Sequence, residues 1–112
     1  MQSWDISKLE VEPYQPEVLA SDEEGRVIAI NLPAGERLSE HQVHERAWLV
    51  VAAGAVEIDD AGGESIAGGP GLLAAFEPNE RHEVRATEDT RLLLVLSPWP
   101  GVGHPSRLAD VP

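Results

Sequence analysis

Two histidines at set distances from glycines, His41 and His82, are the side chains of this sequence with the clearest capacity for chemistry. His41 follows Gly35 after five residues and precedes Gly54, while His82 ends a segment that begins at Gly71. Imidazole nitrogens bind divalent Fe, Mn, Ni, Cu or Zn, and they also hydrogen-bond small ligands. Two imidazoles alone rarely hold a metal tightly, so the neighbouring residues decide between these uses.

Composition excludes several kinds of site and partner. The sequence has no cysteine, so it forms neither a disulfide nor a thiolate metal site. It also lacks a nucleophile elbow, a phosphate-binding glycine loop and a His-Glu-x-x-His helix. Its formal net charge of −12 repels phosphate backbones and anionic lipid, so we expect no nucleic-acid partner and no membrane.

No segment of the sequence indicates export or insertion into a bilayer. The first residues carry no basic-then-apolar signal pattern, and no apolar run approaches the roughly 20 residues that span a bilayer. The absence of cysteine fits a reducing compartment. We therefore expect a cytoplasmic protein whose acidity keeps it in solution.

Seven short apolar segments, separated by turns rich in glycine, proline and aspartate, are predicted to be β-strands. They cover residues 26–32, 47–52, 55–59, 64–67, 72–76, 81–86 and 91–96. Ala53-Gly54 separates the second segment from the third, which predicts a hairpin there. No segment shows a sustained helical period, so the strands indicate an all-β sandwich or barrel.

The chain length suits one domain, which we expect to span residues 1–112. Its predicted parts are a barrel core at about 26–97, an N-terminal arm at 1–20 and a C-terminal tail at 98–112. The tail is too rich in proline and glycine for a central strand. We expect it to lie over the barrel, because Trp99 and Val102 need cover. His104 in this tail then either stays on the surface or reaches a ligand.

The glycine and histidine spacing resembles the two sequence motifs of the cupins, a family of small antiparallel β-barrels. In the first motif Gly35, His41 and Gly54 match, while Val43 and Ala47 stand where cupins carry a second histidine and a glutamate. The resemblance implies an all-β antiparallel barrel, the double-stranded β-helix or jelly roll of RmlC-like proteins.

The second motif matches at Gly71 and His82, and three of its other positions are substituted. The cupin proline, glycine and asparagine are replaced by Glu77, Asn79 and Ala86. Asn79 suits a turn because asparagine tolerates a positive φ. Together the two motifs reach from the first predicted strand to the last, which is most of the chain.

The resemblance also implies a homodimer in which the N-terminal arm packs on the partner subunit. Leu9, Val11 and Tyr14 are the arm residues that would make this contact. We therefore expect two partners for this chain, a second copy of itself and a small-molecule ligand.

Metal-binding cupins hold one divalent ion with histidines and a glutamate, and this sequence offers part of that set. If residues 40–46 form a loop, His44 can turn inward, and His41, His44 and His82 make a three-imidazole site. If the segment is a regular strand, alternation places His44 on the opposite face and Glu45 beside His41. Either variant would hold a single Fe, Mn, Ni, Cu or Zn ion, and otherwise no cofactor is expected. The predicted ligand pocket is formed by His41, Val43, Ala47 and His82.

Two functions stay open, because this barrel hosts many unrelated activities. The apolar residues Val43 and Ala47 favour a protein that binds a small ligand without chemistry of its own, in a sensory or regulatory role. The His41–His82 pair favours a metal-dependent enzyme, such as an oxygenase or an isomerase. The sequence leaves undecided whether the protein is an enzyme.

Overall fold

The structure, a computed structural model, describes residues 1–41 and 43–105, with residues 39–41 described by their backbone alone. Nine strands occupy most of this range. They are β1 (Glu17–Asp22), β2 (Gly25–Leu32), β3 (Arg37–His41), β4 (Arg46–Ala53), β5 (Val56–Asp60), β6 (Ser65–Gly68), β7 (Leu73–Phe76), β8 (His82–Ala86) and β9 (Thr90–Ser97). Within the described ranges, no helix is long and apolar enough to cross a lipid bilayer.

The strands form two antiparallel sheets that pack against each other. The larger sheet has the order β1-β2-β9-β4-β7, and the smaller sheet has the order β3-β8-β5-β6. One buried apolar cluster draws on both sheets, with Leu49 and Leu92 from the larger and Ile58 and Val84 from the smaller. The predicted all-β, antiparallel fold is therefore confirmed, and the chain crosses repeatedly from one sheet to the other.

Strand alternation decides which side chains of the larger sheet face the interior. In β4, Ala47, Leu49 and Val51 are buried, while Trp48 and Val50 between them lie on the outer face. The neighbouring strand β9 alternates in the same way. The inner face supplies most of the buried apolar cluster, and the outer face carries apolar side chains as well.

The predicted hairpin at Ala53-Gly54 is wrong, because the strands on its two sides belong to different sheets. β4 pairs with β7 and β9, whereas β5 pairs with β6 and β8. Gly54 has a φ of 89°, and a Cβ there would lie 2.3 Å from the Asp89 carbonyl oxygen. The turn therefore carries the chain across from one sheet to the other, in a conformation that suits only glycine.

Two strands, β1 and β3, have no counterpart among the predicted segments. β1 lies at the edge of the larger sheet and is almost entirely exposed, so it has no alternating pattern. β3 is polar, and its pairing with β8 places His41 opposite His82. Both segments are extended because a neighbouring strand pairs with them. Their local sequence does not indicate this pairing.

The arm and the tail each depart from expectation at one residue. Val11 is buried, and its carbonyl oxygen accepts a hydrogen bond from Asn31 Nδ2 at 2.8 Å, so its own chain covers it rather than a partner subunit. Tyr14 is 75% exposed. In the tail, Trp99 packs against the core as expected, but Val102 is exposed and has no cover.

Charged side chains connect the strands of the smaller sheet on its outer face. Arg85 of β8 donates to Glu57 of β5 at 2.9 Å, and also to Asp59 and Glu83. The hydrogen bond from Arg85 holds the pKa of Asp59 below its usual value, and the three carboxylates raise the pKa of Arg85. These pairs support the register of β5 against β8, and that register places His82, the first residue of β8, opposite Asp60.

Candidate functional site

A cavity of about 450 Å³ lies between the two sheets, at the end where β4 begins and β9 ends. The side chains that line it from inward-facing strand positions are Ile28, Ile30, Leu38, Leu49, Val84, Leu94 and Leu96. Pro16, Val43, Trp99 and Pro105 complete its apolar wall. A volume of this size with a mainly apolar lining is typical of a small-molecule site.

Four polar side chains, His44, Glu45, His82 and His104, line the same cavity and are called its polar end below. His44 and Glu45 lie between β3 and β4, His82 begins β8, and His104 belongs to the C-terminal tail. Three separate segments of the chain therefore meet at the polar end.

Glu45 is the buried acid of the polar end, with an exposed fraction of 1%. Its Oε2 accepts a hydrogen bond from the Gly101 backbone N–H at 2.6 Å. The tail approaches so closely that a Cβ on Gly101 would lie 2.6 Å from the His44 carbonyl oxygen. The lack of a side chain at Gly101 therefore allows the tail to pack against the loop that carries His44 and Glu45.

The ring of His82 is held from two sides. It stacks on Phe76, with ring centroids 3.8 Å apart and an angle of 9° between the planes. Its Nδ1 lies 3.3 Å from the Glu80 carbonyl oxygen, and because a carbonyl can only accept, Nδ1 is the donor in this contact. A neutral ring in this tautomer presents Nε2 as an acceptor.

The tail covers the cavity with two aromatic rings. The centroid of the Trp99 ring lies 4.7 Å from that of His104, which in turn lies 5.9 Å from that of His44. The guanidinium carbon of Arg26 lies 4.0 Å from the centroid of the Trp99 ring, a cation–π contact between β2 and the tail. The tail is thus one wall of the cavity and is anchored at more than one point.

The structure brings together part of the predicted pocket. Val43 and His82 line the cavity, as expected from their motif positions. Ala47, the other apolar residue of the predicted pocket, is not among the residues that line the cavity. Its single methyl group is fully buried, in register with Phe76 on one side and Leu96 on the other.

Of the segment 40–46, for which a loop and a regular strand were the alternatives, residues 43–45 form a loop, while residues 40–41 belong to β3 and residue 46 to β4. In this loop, His44 and Glu45 both line the cavity. The side chain of His41 lies outside the described residues, which give only its backbone register opposite His82.

Two residues of the tail, Trp99 and His104, were not assigned to the site from the sequence. Trp99 was expected only to need cover, and His104 was left between the surface and a ligand, yet both line the cavity. Neither residue lies in a periodic segment. The signal that could have found them is the density of proline and glycine around them, which indicates an ordered tail without saying where it lies.

The His, Asp and Glu side chains that the structure describes do not form a site for a divalent metal ion. Within residues 1–41 and 43–105, leaving aside the side chains of 39–41, no group of three or more His, Asp or Glu side chains could hold one. The four side chains of the polar end line one cavity without converging on a common point.

Comparison of the sequence with known families finds one match. A family model described as a cupin domain matches residues 28–97, which is more than half of the chain. No curated protein matches the sequence.

Solved structures share the fold. An RmlC-like cupin from Desulfovibrio desulfuricans has a TM-score of 0.77 at 21% identity, over 88% of this chain and 97% of the other. A protein with a double-stranded β-helix domain from Klebsiella pneumoniae has a TM-score of 0.74 at 17% identity, over 89% and 92%. KdgF from a Halomonas species has a TM-score of 0.69 at 24% identity, over 80% and 85%. These likenesses confirm the predicted double-stranded β-helix and concern the fold alone.

Proposed function

Since the chain belongs to the cupin domain family, we propose that it binds a small, mainly apolar molecule inside the barrel, in a sensory or regulatory role without chemistry of its own. The observation that carries this proposal is the apolar cavity of about 450 Å³ between the sheets. Ligand pockets in proteins commonly have volumes of roughly 300–1,000 Å³ and apolar walls with a few polar groups.

The apolar wall would supply most of the binding free energy. Side chains such as Ile28, Leu49 and Leu94 lie side by side on neighbouring strands of the larger sheet and would contact the ligand body. Burial of apolar ligand surface contributes about 25 cal/mol per Å². The polar end would orient the ligand, because a hydrogen-bonding group placed against the aliphatic wall would lose its partners.

Calorimetric titration of octan-1-ol into the protein tests this function. We expect one site per chain in the wild type and no measurable binding in Leu94→Trp, because the larger side chain would occupy the cavity. Val95→Trp is the matched control, since Val95 is the next residue of β9 and lines a groove on the outer face. Wild-type protein that binds no octan-1-ol, or Leu94→Trp protein that binds like Val95→Trp, would overturn the proposal.

A metal-dependent enzyme is the second candidate, favoured by the register that places His41 opposite His82. Elemental analysis of protein purified without a histidine tag or a chelator distinguishes the two. We expect less than stoichiometric Fe, Mn, Ni, Cu and Zn, also after incubation with each ion. One ion per chain, absent from the His82→Ala variant, would favour the enzyme instead.

We also propose that the chain forms a homodimer through the outer face of the larger sheet. That face presents Val27, Trp48, Val50 and Val95, which are uncharged in a protein of net charge −12. Two such faces can meet without bringing like charges together.

Sedimentation velocity tests the dimer at micromolar concentration. We expect the wild type to be dimeric and Trp48→Glu to be monomeric, because a carboxylate would be buried against an apolar surface. Ile66→Glu is the control, because Ile66 is 43% exposed and lies on the smaller sheet. A monomeric wild type, or equal dissociation of both variants, would contradict this interface.

A further inference from the structure

Glu45 is the only acidic side chain among the described residues that line the cavity, and it has no lysine or arginine beside it there. The lining of the cavity otherwise consists of aliphatic side chains, prolines, Trp99 and three histidines. The polar end therefore combines one carboxylate with imidazoles, and this combination is chemically selective.

The carboxylate of Glu45 is placed where a charge is costly unless it is compensated. The residue is 1% exposed, and the Gly101 N–H at 2.6 Å occupies one of the roughly four acceptor positions of a carboxylate. Among the described lining residues, none carries a permanent positive charge. A ligand that brings a cationic donor into the cavity would compensate the carboxylate, and such hydrogen bonds are stronger than neutral ones.

The charge of the whole chain favours the same kind of ligand. Counted with neutral histidines, the net charge at pH 7 is −12. A field of this sign raises the local concentration of cations and lowers that of anions. A ligand with a carboxylate head would enter against this field and meet Glu45 at the polar end.

We propose that the cavity selects ligands with an apolar body and a cationic N–H donor as head group, such as a primary ammonium, with Glu45 as the counter-ion. This inference rests on the proposed function, since it specifies the ligand of the same cavity. The body would lie among the aliphatic side chains of the strands, and the head would lie at the polar end beside Glu45.

Three probes of equal chain length test the selection: octylamine, octan-1-ol and octanoate, each titrated calorimetrically at pH 7. We expect octylamine to bind at least about tenfold more tightly than octan-1-ol, which corresponds to one charge-assisted hydrogen bond. Octanoate should bind more weakly than both. In Glu45→Gln, octylamine should lose its advantage over octan-1-ol, because a neutral amide cannot pair with the ammonium while its oxygen can still accept the Gly101 N–H.

Glu88→Gln is the matched control, since it removes the same formal charge from an exposed turn. Its affinity for octylamine should equal that of the wild type. Octan-1-ol that binds as well as octylamine would overturn the inference and leave the proposed function standing. Preferred binding of octanoate, or a preference for octylamine that survives in Glu45→Gln, would also overturn the inference. Absence of binding by all three probes would overturn both proposals.

Discussion

Replacement of Gly54 by alanine is expected to cost more stability than any other single change considered for this chain. A Cβ at this position would lie 2.3 Å from the Asp89 carbonyl oxygen and 2.7 Å from the Thr90 Cα, and backbone atoms cannot give way as a flexible side chain can. The φ of 89° adds the cost of the left-handed conformation. We expect a loss of about 3 kcal/mol or more, a large part of the stability of a small domain.

Gly35→Ala is the matched control for this prediction. Gly35 has a similar φ of 83°, but nothing lies within 4 Å of the position its Cβ would take. Its substitution should therefore cost only the conformational part, about 1 kcal/mol. Urea denaturation followed by circular dichroism measures both losses. Equal losses at the two glycines would show that the contact with Asp89 and Thr90 does not matter.

The reason for this large effect is the place of Gly54 in the fold. The glycine carries the chain from β4 in the larger sheet to β5 in the smaller sheet. Thr90, which is fully buried, contacts both backbone polar groups of Ala55, the residue that follows Gly54. Its Oγ1 accepts the Ala55 N–H at 3.2 Å and lies 3.1 Å from the Ala55 carbonyl oxygen. A shift of this turn would therefore disturb the junction of the two sheets.

Gly101→Ala is expected to have the second large effect, on the tail that covers the cavity. The new Cβ would lie 2.6 Å from the His44 carbonyl oxygen and 2.9 Å from Glu45 Oε2, so the tail must move away from the loop. Overpacking of this kind costs about 1–3 kcal/mol. We expect the amide proton at position 101 to lose its protection from hydrogen exchange, and octan-1-ol to bind more weakly, because the wall formed by Trp99 would be displaced.

Gly62→Ala serves as the control, since the nearest atom beyond its chain neighbours is Asp60 Oδ1 at 3.4 Å, an ordinary contact. That variant should keep both the protection of the Gly101 amide and the affinity for octan-1-ol. Unchanged protection in Gly101→Ala would mean that the tail tolerates a side chain there, and that the hydrogen bond to Glu45 does not fix its position.

Much of the fold could be predicted from the sequence because its signals are local. Apolar runs bounded by glycine and proline predicted seven of the nine strands, and the spacing of glycines and histidines identified the family. The hairpin at Ala53-Gly54 was wrong because a turn residue indicates a change of direction without indicating which sheet the next strand joins. β1 and β3 were missed because their pairing partners, rather than their own patterns, make them strands.

The site was only partly predictable, because only part of it depends on local sequence signals. Val43 and His82 follow from motif positions, whereas Ala47 occupies a motif position but is enclosed by Phe76 and Leu96. The inward position of Glu45 depends on the loop and on the hydrogen bond from Gly101, a contact between residues 56 positions apart. Such contacts exist only in the folded chain, and no local pattern indicates them.

A crystal structure of the protein with 8-bromooctan-1-ol tests the central claim most directly, because the anomalous signal of bromine locates the ligand. We expect a bromine peak inside the barrel, among Ile28, Leu49 and Leu94, with the hydroxyl group directed toward Glu45 at the polar end. Bromine found only on the outer faces of the sheets, with the cavity free of ligand, would contradict it.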